Sequence, residues 1–105
     1  MKSLLQRKED GQCYLCLHLM DDASRKGTVE HHIYEGTGRR KLSEQYGMKV
    51  YLCPAHHNMS DEAVHMNPNG PADTFLKRRG QQAFEKEFPE LGRDGFRRLF
   101  GKSYL

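Results

Sequence analysis

Residues 50–57 read "VYLCPAHH", and the way this stretch is parsed decides the fold. The run "MKVYLC" (48–53) alternates well enough for a strand, and Pro54 suits the first turn of a helix that begins after Cys53. Cys53-x-x-His56 is a ligand pair at knuckle spacing. It has an upstream counterpart in Cys13-x-x-Cys16, with 36 residues between the two pairs. A tetrahedral zinc site takes four thiolate or imidazole ligands, and three cysteines with one histidine is a standard set. All 3 cysteines fall into these two pairs. Incidental buried cysteines rarely show paired spacing with none left over.

Composition explains why such a staple is needed. Of 105 residues, 36% are hydrophobic and 30% charged, and the mean hydropathy is -0.88. A chain this short and polar has little apolar area to bury and is expected to form one domain, 1–105, braced by a structural metal. The odd cysteine count favours reduced thiols over disulfides. "MKSLLQRKEDGQ" (1–12) is too polar for a signal peptide, and no run approaches a membrane span. The expectation is a cytoplasmic protein with no membrane partner.

Outward from the two ligand pairs, "MKSLLQRKED" reads as a short helix ended by Gly11, and "GQCYLC" as a tight turn carrying Cys13 and Cys16. "TVEHHIY" (28–34), rich in β-branched and aromatic residues, reads as a strand. "KLSEQYG" gives about two helical turns closed by Gly47. Beyond the turn-forming "NPNGPAD", Phe75, Leu76, Ala83, Phe84 and Phe88 recur at helical spacing, with Asp73 as N-cap. A last helix groups Phe96, Leu99 and Phe100. Both helices read as amphipathic covers for a core.

Five of the 6 histidines sit near these elements; only His18 falls outside. His31–His32 and His56–His57 are adjacent pairs. Successive side chains on a regular strand point to opposite faces, so neighbouring imidazoles should serve different sites. If His56 faces zinc, His57 is free to point elsewhere. On an unbroken helix His57, Asp61 and His65 would share roughly one face, although "NMSDE" also carries a helix-start signal. His31, His32, His57 and His65 then form a second cluster.

"CYLC", "EHHI" and "VYLCPAHH", in that order, resemble the HNH nuclease motif of the ββα-metal (His-Me finger) fold with a zinc knuckle clamped around it. The resemblance covers residues 13–67. The tail (71–105), a helical extension, is similar more weakly to the ends of small phage and prophage HNH proteins. It implies an α+β fold, a hairpin-plus-helix core stapled by zinc, with additional N-terminal and C-terminal helices. One divalent cation is held between hairpin and helix.

Carried over by position, His32 matches the general base, His31 a metal ligand, and His57 the ligand at the head of the helix. The last ligand is His65, in a His65-x-Asn67 ending, or Asp61, with His65 favoured. Met48 stands where the motif's middle Asn is expected, which leaves the brace between loop and hairpin, or a further ligand, unaccounted for. Glu30 either adds charge near the metal or is exposed.

The resemblance implies metal-dependent hydrolysis of DNA phosphodiester bonds, leaving 5′-phosphate and 3′-hydroxyl ends. Imidazole, titrating near about 6.5 in water, suits a general base around neutrality. Three imidazole ligands favour Mn, Ni, Co or Zn over Mg as the catalytic cation. Both His31 and His32 must reach one phosphate, so the strand is expected to bulge or end at the pair. A straight strand with His31 and His32 on opposite faces would sink the assignment.

The net charge is +3. Arg39, Arg40 and Lys41 are first candidates for phosphate contacts, and Lys77, Arg78 and Arg79 second; solvated helix faces are the plain alternative. No base-reading element is apparent, so DNA would be gripped with little sequence preference. Two other readings compete: a zinc-knuckle module that binds nucleic acid without cutting, and a zinc-stapled interaction protein. Monomer and homodimer both remain open.

Overall fold

The β-branched and aromatic residues of the two short apolar runs pair as an antiparallel two-stranded sheet, β1 (Val29–His32) with β2 (Lys49–Leu52). The computed structural model of the chain describes residues 1–36, 38–59 and 63–105. Among them, α1 (Tyr14–Leu19) precedes the sheet and α2 (Arg39–Gln45) lies between its strands. A single π-helical turn (Ala55–Met59), α3 (Pro71–Glu87) and α4 (Gly92–Phe100) follow. The fold is a small α+β one. No described helix is long and apolar enough to cross a membrane.

Register assigns the faces. Val29 pairs with Leu52, Glu30 with Tyr51, His31 with Val50 and His32 with Lys49. Opposite residues in an antiparallel pair share a face, so His31 lies with Val50 and Leu52 over the core. Glu30 and His32 lie with Tyr51 and Lys49 on the other side. Every residue of β2 is buried, because the N-terminal segment covers the strand's outer edge. Ser3 Oγ donates to the Lys49 carbonyl, Leu4 N–H to the Gly47 carbonyl, and Tyr51 N–H to Gln6 Oε1.

These bonds correct the first helix expected from sequence. "MKSLLQRKED" spends its polar groups on β2 and keeps only a 3₁₀ turn at Lys8–Asp10, stopped by Gly11 at φ 62°. Conversely, the stretch read as a tight turn at 13–16 opens α1. Cys13 is its N-cap, and the Cys13 sulfur accepts the Cys16 N–H at 3.4 Å.

The link from β1 to β2 is held from inside. Ser43 of α2 is fully buried; its Oγ donates to the Tyr34 carbonyl (2.9 Å) and accepts the Tyr34 N–H (3.1 Å). The Ser43 carbonyl accepts from Met48 N–H at 2.8 Å. Met48 itself is fully buried in the apolar core.

α3 starts two residues before the cap read from sequence. Gly70 is the N-cap, Pro71 opens the helix, and Asp73, inside the first turn, accepts the Asn69 N–H at 2.8 Å. The rings of Tyr34, Phe84, Phe96 and Phe100 meet with centroids 4.6–6.0 Å apart, the range of favourable aromatic pairs. Buried Gln81 accepts the Tyr104 N–H (2.7 Å) and donates to Ser103 Oγ (2.9 Å), tying the tail to α3.

Gly80 lets α3 lie against this cluster. A Cβ there would stand 2.7 Å from the Tyr34 hydroxyl, which donates to the Lys77 carbonyl at 2.6 Å, and 3.2 Å from Ile33 Cδ1. Alanine gains about 1 kcal/mol of helix propensity, but overpacking a filled site costs about 1–3 kcal/mol. Gly80→Ala is therefore expected to lower the urea midpoint. An equal or higher midpoint would mean that Tyr34 yields at no cost.

Candidate metal centres

Pro54 and the backbone after Cys53 explain how two adjacent imidazoles part. The N–H groups of His56 and His57 both point at the Cys53 carbonyl (3.1 and 3.0 Å). This tight turn sends His56 to one side and His57 to the other. The turn stops at Met59, and the chain returns so that Val64 and His65 N–H groups bond the His56 and His57 carbonyls (2.8 and 3.2 Å). His57 and His65 are thus brought together by a return of the chain. Of the two possibilities left by the sequence, one helix through both or a break between them, these bonds between residues eight apart match the break. Asp61 lies outside the described residues.

On the first side, His56 Nδ1 sits 3.5, 3.4 and 3.4 Å from the sulfurs of Cys13, Cys16 and Cys53. The Cys16 and Cys53 sulfurs are 3.8 Å apart. Zn–S bonds of about 2.3 Å and a Zn–N bond of about 2.0–2.1 Å at tetrahedral angles give S···S of about 3.8 Å and S···N of about 3.6 Å. The four donors, all buried, are spaced like the corners of such a tetrahedron. Burial, with Cys13 and Cys53 alongside, pushes the Cys16 thiol up to about 12. At Cys53 burial is outweighed by N–H groups of His56 and Ala55 and by the neighbouring thiols, and its pKa falls below the ordinary value. Thiols this close resist ionising together unless a cation offsets their charge. The cluster is compatible with a structural metal such as zinc.

On the second side, His31, His57 and His65 bring their ring nitrogens within 4.8 Å of one another. The Nε2 atoms of His57 and His65 are 2.8 Å apart. His31 is 2% exposed, and neither of its ring nitrogens has a hydrogen-bond partner among the described residues. A buried polar group left unpaired costs about 1–3 kcal/mol, so an orphaned imidazole facing two others wants an explanation. Burial, reinforced by His65, His57, His32 and Lys77, pulls the His31 pKa down to about 3; burial and His65 lower that of His57. The lone pairs of both rings are therefore available near neutral pH.

Glu35, which sequence reasoning missed, approaches His65 Nδ1 at 3.4 Å and His31 Nδ1 at 3.7 Å. A carboxylate on the far nitrogen of a ligating histidine fixes its tautomer and aim.

β1 pairs regularly through His32 and has no bulge; it ends there. His31 and His32 leave on opposite faces, the arrangement that counts against their sharing one phosphate; at the strand's end both nonetheless border one cleft of about 400 Å³. Glu30, Glu35, Gly36, Arg40, His57 and His65 complete its lining. His32 Nε2 faces Glu44 Oε2 at 3.0 Å and Glu30 Oε1 at 3.4 Å. Glu30 is thus exposed beside His32, at the rim of the cleft that the three other histidines also line. Nothing in the sequence flagged Glu44, which acts 12 residues from His32 through a helix.

The basic residues separate. Arg40 lines the cleft, and Lys41 shares with it a neighbouring hollow beside His32. Arg39 leans against Gly101 at the end of α4. Lys77 is paired with Asp73 at 2.8 Å, Arg79 covers the Phe75 ring at 5.1 Å, and Arg78 is exposed.

No protein-family model matches this chain, and neither a curated protein nor a solved structure matches it.

Structural zinc is worth roughly 10 kcal/mol of apparent binding energy in small metal-stapled domains. Chelation is therefore expected to unfold the chain. Cys53→Ser should lose most of the zinc that the parent retains through dialysis, with a broadened thermal transition. Elemental analysis beside circular dichroism checks both. A Cys53→Ser variant with the parent's zinc content would remove Cys53 from the ligand set.

Proposed function

We propose that the chain is a metal-dependent endonuclease of the HNH type, in which β1, β2 and the turn after Cys53 act as the ββα-metal core. The reading rests on one observation above all. His31 is buried with both ring nitrogens unpaired among the described residues, beside His57 and His65, and His32 borders the same cleft. A zinc staple alone asks for none of these four.

His31, His57 and His65 would hold the divalent cation, with Glu35 steadying His65. When bound, that cation supplies charge neutralisation at the scissile phosphate and the leaving 3′-oxygen. His32 accepts a proton from water as the water oxygen bonds to phosphorus. The P–O3′ bond breaks and the leaving 3′-oxygen takes a proton from a solvent water, giving a 5′-phosphate and a 3′-hydroxyl. Arg40 offers a guanidinium to a phosphate oxygen at the cleft's edge, with Lys41 next to it. Lys77 and Arg79 already have partners within the fold, which moves DNA contact toward α2. Ser43, gripping the backbone N–H and carbonyl of Tyr34, supplies the brace that the motif assigns to an Asn and that buried Met48 cannot.

Purified zinc-loaded protein is expected to cut plasmid DNA with Mn, Ni or Co and more slowly with Mg, while His32→Ala keeps its zinc and loses about 10²–10⁴-fold in rate. Retarded but intact plasmid would support the non-cutting module instead. Cutting supported by Mg alone would overturn the three-histidine site.

Arg40→Ala should raise KM with kcat nearly unchanged, and should flatten the slope of log affinity against log salt by about 1. An unchanged slope would remove Arg40 from the DNA interface.

A further inference from the structure

The outer face of the sheet carries a charged chain that the zinc knuckle and the three-histidine cluster leave unused. Glu44, on α2, accepts Lys49 Nζ on both carboxylate oxygens (3.0 and 2.9 Å) and meets His32 Nε2 at 3.0 Å. Lys49 is the cross-strand partner of His32, its side chain is 8% exposed, and it also reaches Glu30 at 3.5 Å. Glu30 stands two residues before His32 on the same face. Glu30, His32 and Glu44 could be taken for a cation site, but the ammonium of Lys49 already stands between the two carboxylates and offsets one of their two charges.

We infer that Glu44, held by Lys49, is the positioning residue for His32, fixing the ring as the Nε2–H tautomer with Nδ1 as the atom that accepts the proton from water. This inference rests on the nuclease reading. A neutral imidazole has one donor and one acceptor nitrogen, and the partner of one nitrogen decides the role of the other. The Lys49 and His32 hydrogen bonds hold the Glu44 carboxyl down to about 2, so it is an acceptor only. The nitrogen facing it must therefore carry the hydrogen. The same carboxylate stabilises the ring once it has gained a proton. Glu30 at 3.4 Å adds a second negative charge, while Arg40 and Lys41 border the hollow on the other side. α2 thus serves both ends of the reaction: Glu44 aims the base, and Arg40, four residues earlier, reaches the cleft.

The first test needs no variant. In zinc-loaded protein at mildly alkaline pH, long-range nitrogen–proton correlation spectra of the His32 ring should show the Nε2–H pattern. An Nδ1–H pattern would overturn the inference. In Glu44→Gln, whose side chain can also donate, that preference should weaken. With Mn, kcat should fall about ten- to a hundredfold while KM and zinc content stay near the parent's. This is less than the about 10²–10⁴-fold that a general base contributes in full. Glu44→Asp should recover part of kcat.

If the parent cuts and Glu44→Gln cuts equally well, Glu44 does not position the base, and the nuclease reading stands. If the parent leaves DNA intact, the nuclease reading falls and this inference with it. If Glu44→Gln loses zinc or raises KM as much as it lowers kcat, Glu44 is a structural residue and the inference is overturned.

Discussion

Three cysteine sulfurs meet one imidazole nitrogen within 3.5 Å, and the rest of the molecule is arranged around that convergence. It joins the N-cap of α1 to the end of β2 and fixes the first turn after it. Because His57 follows His56 directly, clamping one ring aims the next. The cysteine cluster and the histidine cluster are therefore joined through a single peptide bond, between His56 and His57. The strand does the equivalent on the other side of the cleft, where alternation sends His31 inward and His32 outward.

Spacing along the chain was enough to identify the residues of the first cluster, since both pairs are local and no cysteine is left over. Both strands were also legible, because β-branched and aromatic residues crowd there. The start of α3 was misplaced by the strength of Asp73 as a capping residue; Gly70 and Pro71 together terminate the preceding turn earlier. The N-terminal helix failed for a tertiary reason. Ser3, Leu4 and Gln6 have a strand edge to bond, and 46 residues separate Ser3 from its partner Lys49. No local propensity registers such a partner.

The carboxylates around the histidines were invisible for the same reason. Glu35 and Glu44 sit at sequence distances from His65 and His32 that match no helix or strand period. Their roles depend on where α2 and the loop before it are laid, which Ser43 and the aromatic cluster decide. Side chains that carry charge to a site are readable from spacing only when one element holds both partners. His65 shows the limit: its meeting with His57 comes from hydrogen bonds between residues eight apart, a return that periodicity does not encode.

The order in which the chain leaves the ribosome gives the 36-residue span between the ligand pairs a further meaning. Closing a loop of that length costs about 3 kcal/mol in chain entropy, and an ion captured by four donors more than repays it. All four donors have emerged by residue 56, before any of α3 or α4 exists. Metal capture can therefore organise the strands during synthesis, while Tyr34 still lacks the rings of Phe84, Phe96 and Phe100. Domains built N-terminal part first depend on such early anchors. With a metal in the four-donor cluster, the anchor of this chain would be inorganic, and the hydrophobic core would be added to a frame already closed.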